Sequence, residues 1–131
     1  MTLPTVIVAI DNRLDALDAC LAALERTLPV AHAVLLAGDA SSDPRIARLI
    51  ADWRARSRLA VTCLRCEQPL GFAASCNRAF RASGATDVVL LSADAWVTPG
   101  WLQQLARCAA SDQRIAKIGR ASCRERVCQY V

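Results

Sequence analysis

Four short polar stretches interrupt an otherwise apolar chain: Asp11-Asn12, Gly38-Asp39-Ala40-Ser41-Ser42-Asp43, the loop around Gly71, and Ser92-Ala93-Asp94. Three of the four carry carboxylates, and carboxylates gathered in one place repel one another unless a cation sits among them. A divalent metal carrying a phosphate-bearing ligand answers that repulsion, because hard cations take carboxylate oxygens and bridge to phosphates. Several of these residues also have plainer readings. Asp43 suits a helix cap, Ser41 and Ser42 suit turn hydrogen bonds, and Asp11 suits an exposed turn. Asp94 is different: it follows a run that reads as a buried strand and precedes Ala95-Trp96-Val97-Thr98 rather than a capped helix. A ligand or metal role is therefore expected for Asp94.

The elements that must position these stretches alternate. Thr5–Ile10 is a continuous β-branched and apolar run, the pattern of a strand covered on both faces. Asn12 can cap a helix with Asp15 in its first turn, and Leu14, Leu17, Leu21 and Leu24 then recur at helical spacing up to Thr27. A second strand is expected at about Ala33–Ala37. Asp43-Pro44 then opens a helix with Ile46, Leu49, Ile50 and Trp53 on one face. A third strand at Leu59–Leu64 leads through Glu67–Gly71 to a helix over roughly Phe72–Ala82, and a fourth strand at Asp87–Leu91 closes at Ser92. Thr98-Pro99 is expected to cap a fourth helix carrying Trp101, Leu102 and Leu105. Four alternations of strand and helix predict an α/β fold: a mostly parallel, Rossmann-like sheet of about four strands with helices on both faces. In such a sheet ligands bind beyond the carboxyl ends of the strands, and all four polar stretches fall there.

Composition narrows the class. The 131 residues are 54% hydrophobic and 21% charged, with a net charge of +4 and 5% aromatics, which fits one folded domain and excludes disorder. The longest apolar runs are too short to span a bilayer, and Met1-Thr-Leu-Pro4 leads straight into the first strand without a basic leader. A cytoplasmic location is expected, with membrane association left open for a longer parent protein. Arg45, Arg48, Arg54, Arg56 and Arg58 are spread over a helix surface rather than gathered with aromatics, so they read as a solvated face and nucleic acid is not expected. Of seven cysteines, Cys20, Cys76 and Cys108 fall on apolar faces of expected helices. Cys63-Leu-Arg-Cys66 has no second pair at zinc spacing, and His32, the one histidine, opens a strand. No GxGxxG or GxxxxGK[ST] follows the first strand.

Three motifs in order carry a resemblance. Leu36-Ala-Gly-Asp-Ala-Ser-Ser-Asp-Pro44 resembles the Asp-Asp-x-Ser-x-Asp strand end of the family 2 glycosyltransferases with the GT-A fold. Leu70-Gly-Phe-Ala-Ala-Ser-Cys-Asn77 resembles their Asn-x-Gly-Phe…Asn stretch, and Leu90-Leu-Ser-Ala-Asp-Ala-Trp-Val-Thr-Pro-Gly-Trp101 resembles their Asp-x-Asp strand end and following helix. The resemblance covers about Thr5 to Lys117. It implies a nucleoside diphosphate sugar donor, a Mg²⁺ or Mn²⁺ cofactor, and a glycan, lipid or other acceptor, as in cell-envelope glycan synthesis. By the same resemblance Asp39 would hydrogen-bond the base and Asp94 would hold the metal. Ser92 and Ala93 would line the ribose and sugar side, Ala9 and Asp11 would lie beside the base, and Gly71 and Asn77 would lie near the donor. The chain departs from the family where Ala9-Ile-Asp-Asn12 replaces Pro-x-Tyr-Asn, where Gly38 replaces the first Asp of the second motif, and where Ser92 replaces the first Asp or Asn of the third. No residue here matches the carboxylate base that inverting members carry in the second half of the domain. Two other classes remain in view. A non-catalytic nucleotide- or metal-binding module would tolerate the three substitutions. A receiver-like signalling domain would need an acceptor Asp after the third strand, where Cys66-Glu67 stands instead.

The last residues change character. Ile118-Gly-Arg-Ala-Ser-Cys-Arg-Glu-Arg-Val127 has neither helical nor strand periodicity and resembles a translated sequencing adapter, ATC GGA AGA GCG TCG TGT AGG GAA AGA GTG. The expected organisation is therefore a donor-binding half domain over residues 1–117 and a non-native tail over 118–131, a fragment without turnover of its own. Setting the tail aside removes three arginines and one glutamate, which lowers the net charge from +4 to +2, and leaves five of the seven cysteines.

Overall fold

The computed structural model describes residues 3–10, 13–38, 44–65, 72–84, 87–93, 95–111 and 127–130. Strands β1 (Thr5–Ile10), β2 (Ala33–Gly38), β3 (Ala60–Arg65) and β4 (Val88–Ser92) alternate with helices α1 (Leu14–Thr27), α2 (Pro44–Arg56), α3 (Phe72–Ser83) and α4 (Trp101–Ala110), and β5 spans Val127–Tyr130. The sheet runs in the order β3-β2-β1-β4-β5, and neighbouring strands are parallel throughout the described residues. The α/β, Rossmann-like class is as the alternation of elements requires.

Alternate residues of the inner strands divide between two cores. Val6, Val8, Val34, Leu36, Val89 and Leu91 pack with Leu17, Leu21 and Leu24 of α1, Ile46 and Trp53 of α2, and Trp101 and Leu102 of α4. Ile7, Leu35, Ala37, Val88 and Leu90 face Cys76 and Ala79 of α3 on the other side. Strands covered on both faces need apolar residues at every position, which is why β1, β2 and β4 show no polar alternation.

Several local expectations shift. The cap of α1 is Arg13, which makes no side-chain cap hydrogen bond, while Asn12 lies outside the described residues. Thr98-Pro99 does not cap α4; that place belongs to Gly100 at φ +83°, a left-handed conformation that a residue without Cβ adopts freely. Cys108 is exposed rather than on the apolar face, whereas Cys20 and Cys76 are buried. The expected strand count of about four becomes five, because Val127–Tyr130 pairs with β4 from Val88↔Val127 to Leu91↔Tyr130. An unpaired β4 would leave a row of N–H and C=O groups open, and a short segment with Val and Tyr satisfies them whatever its periodicity. Arg114–Lys117, the end of the expected half domain, lies outside the described residues.

Candidate functional site at the carboxyl edge of the sheet

The chain runs outward from β1 to β2 and β3, then returns through α3 to β4 on the other side of β1. Strand order therefore reverses between β1 and β4, and an open parallel sheet has its crevice just beyond the carboxyl ends at such a reversal. Registers bring the four ends level. Ala9 sits opposite both Ala37 and Ser92, Ile10 opposite Gly38, and Gly38 opposite Arg65. Neighbouring strands lie about 4.8 Å apart, so the residues that leave these ends start within a few strand spacings of one another. Helices α1, α2 and α3 begin after β1, β2 and β3, so three sets of unbonded helical N–H groups, with the positive ends of their dipoles, turn toward this edge.

Helix α4 does not add a fourth. After β4 the chain doubles back along α1, burying Ala93, Ala95 and Val97 and exposing Trp96 and Thr98. It reaches Trp101, whose indole Nε1–H donates to Thr27 Oγ1 at 3.0 Å in the last turn of α1. The Ser92 carbonyl ties the chain leaving β4 to Ala95 and to α1. Ser92 O accepts the Ala95 N–H at 3.0 Å and lies 3.9 Å from the buried Cys20 thiol on α1.

Among the expected site residues, Ala9 and Ser92 are half-buried neighbours on β1 and β4, and Asn77 is half-buried on α3. Ala93 is 1% exposed and belongs to the α1-side core, so what it can offer a ligand is backbone. Asp11, Asp39, Gly71 and Asp94 lie outside the described residues, as do Ser41, Ser42 and Asp43. No group of three His, Cys, Asp or Glu side chains able to hold a metal occurs among the described residues. The chemistry of the donor set nonetheless suits a hard dication: just past β1, β2 and β4 the sequence supplies oxygen donors with neither His nor Cys among them, while Cys66 follows β3. Two buried residues on the flanking helices escaped sequence reasoning. Cys20 was legible only as a buried apolar position, and its carbonyl partner is 72 residues away. Ser75, a buried polar residue on α3, lies inside a quoted motif without having been singled out.

Residues 5–127 match the family model for glycosyl transferase family 2. The chain belongs to that family. Family 2 glycosyltransferases transfer sugar from a nucleotide-sugar donor to an acceptor and generally depend on a divalent metal. No curated protein matched the chain. Strands β2 and β4, at whose ends two of the motifs stand in the sequence, both pair with β1.

Proposed function

We propose that this family 2 glycosyltransferase domain binds a nucleoside diphosphate sugar at the carboxyl edge, across the β1–β4 reversal, in readiness for sugar transfer to a glycan, lipid or other acceptor. The observation that carries the reading is the register: Ile10 pairs with Gly38 and Ala9 with Ser92, so β1 and its two neighbours end within one residue of the same level, and an acidic residue follows each end within two positions in the sequence. In this reading Asp39 hydrogen-bonds the base, Ala9 and Asp11 lie beside it, Ser92 and Ala93 line the ribose and sugar, and Gly71 and Asn77 approach the donor. Asp94 would hold Mg²⁺ or Mn²⁺, which when bound supplies a Lewis acid to the leaving diphosphate. The unbonded N–H groups that open α1 and α2 would favour the diphosphate charge. Residues 1–117 are the donor-binding half in this proposal, 118–131 are adapter-derived, and the base and acceptor site belong to chain beyond them.

Calorimetric titration of the chain with uridine, guanosine and thymidine diphosphate sugars, with and without Mn²⁺, tests it. Saturable binding of at least one donor that weakens on metal removal is expected. Absence of binding to every donor in the presence of Mn²⁺ overturns it. Gly38 and Ser92, which stand where the family carries acids, favour a second reading as a non-catalytic binding module. That reading requires donor binding without sugar transfer even in a full-length parent.

A further inference from the structure

Two large apolar side chains stand out in solvent among the described residues, Val30 at 67% exposure and Trp96 at 75%. Val30 tips the tight connection from α1 to β2, and the backbone beside it is pinned. The Ala31 N–H donates to Arg58 O at 2.8 Å and the His32 N–H to Pro29 O at 3.2 Å, with Ala31 held at φ +64°. Trp96 walls a groove of about 470 Å³ between α1 and the segment after β4, whose lining includes Ala19, Ala22, Arg26 and Pro99.

Arginines surround both. Arg26 lines the Trp96 groove in the last turn of α1, four residues before Val30. Arg58 reaches the same turn through Nη2, which donates to Glu25 O at 2.6 Å, and Arg54 and Arg56 end α2 beside it. All four are exposed. Among the described carboxylates Glu25 pairs with Arg58 and so neutralises that one arginine, whereas Asp52 lies one turn back on α2 and Asp87 stands at the foot of β4. Asp15 and Asp18 lie toward the opposite end of α1. Every described cation apart from His32 is arginine, whose planar fork suits phosphate oxygens.

We infer that this amino edge of the sheet docks on an anionic phospholipid surface, with Val30 and Trp96 entering the headgroup layer and Arg26, Arg54 and Arg56 facing the phosphates. An exposed aliphatic tip and an exposed indole flanked by cations is the composition that an anionic bilayer interface accepts. A nucleic acid has no apolar layer to receive the Val30 tip. Docking by this edge leaves the carboxyl edge facing away from the membrane, and the inference stands apart from the donor proposed there.

Flotation of the full chain with vesicles tests it, using phosphatidylcholine alone or with about 30% phosphatidylglycerol. Binding to the anionic vesicles, a blue shift of indole emission, and release at about 0.5 M NaCl, where charges more than roughly 4 Å apart are screened, are expected. The double variant Arg26→Glu/Arg54→Glu should bind at least about tenfold more weakly, since each juxtamembrane cation contributes about a kcal/mol. Val30→Asp should also weaken binding, and Trp96→Phe should remove most of the blue shift. These are exposed positions, and Arg26→Gln/Arg54→Gln serves as a milder pair should charge reversal impair folding. Failure to float with anionic vesicles at low salt, equal binding to neutral vesicles, or indifference to the arginine variants overturns the proposal. Displacement by RNA combined with unchanged binding of Val30→Asp also overturns it, and assigns the face to nucleic acid.

Discussion

The two edges of this sheet are finished differently. At the amino edge the polar groups bond to one another. Glu25 takes the Ser57 hydroxyl at 2.6 Å and the Arg58 N–H at 3.0 Å, and it faces the Arg58 guanidinium at 3.3 Å. His32 Nε2 lies 2.8 Å from Pro4 O, and Trp101 Nε1–H donates to Thr27. At the carboxyl edge, helix α1 starts at a cap with no side-chain hydrogen bond, and the strand ends lead into acids. A region whose hydrogen bonds close internally contributes to stability; a region that gathers helix termini and like charges is suited to bind something. The comparison predicts that breaking the closed bonds of the amino edge costs folding, whereas removing the acids of the carboxyl edge costs donor binding.

The sharpest break should come from Trp101→Ala. The indole is 3% exposed in the core, and its removal empties that volume and leaves Thr27 without its donor. A loss of about 3–5 kcal/mol in chemical denaturation is expected. Asp94→Ala tests the other edge: metal-dependent donor affinity should fall by about two orders of magnitude or more, roughly 3 kcal/mol, with the melting temperature unmoved. Unchanged calorimetric affinity with and without Mn²⁺ would falsify the metal assignment.

Glu25→Gln should cost about 1–2 kcal/mol, because the half-exposed Arg58 partner is screened by solvent and only part of the network is buried. Burial raises the Glu25 pKa, but hydrogen bonds from the Arg58 backbone, the Ser57 hydroxyl and the Arg58 side chain, with the Arg58 charge, lower it further, leaving it below its ordinary 4.5. A depressed carboxylate pKa stabilises above the unfolded value, and that stability disappears as pH falls through the folded value. The wild-type advantage over Glu25→Gln should therefore be complete at neutral pH and shrink below about 4.5 in pH-dependent melts. The smallest effect belongs to Ala31→Gly. Relieving a left-handed Ala at φ +64° should stabilise by no more than about 1 kcal/mol, since glycine also gains freedom when unfolded. A destabilised variant would show that the turn is not strained.

Much of this architecture was legible residue by residue. Leu14, Leu17, Leu21 and Leu24 set α1 by their spacing, and the unbroken apolar runs of β1, β2 and β4 marked strands covered on both sides, because periodicity reflects the faces that an element buries. Caps were less legible. Asn12 and Thr98 have the right chemistry, but Arg13 and Gly100 take those positions, since the turn entering each helix depends on where the preceding segment is anchored. Of the candidate site, the motifs and their order could be read directly. The role of the Cys20 thiol beneath the Ser92 carbonyl could not, because it joins residues far apart in the chain.

By itself the sequence determined the element order, the parallel α/β class, the family motifs and their place at strand ends, all of which follow from local spacing and the short reach of turns. Only the tertiary structure decided which strand ends are neighbours, that the chain after β4 returns along α1 instead of presenting a fourth helix N-terminus to the site, and that Val127–Tyr130 completes the edge of β4. The physical reason is the same in each case. Strand order, segment docking and edge pairing depend on contacts between residues distant in sequence, and no local pattern encodes which of those contacts will close.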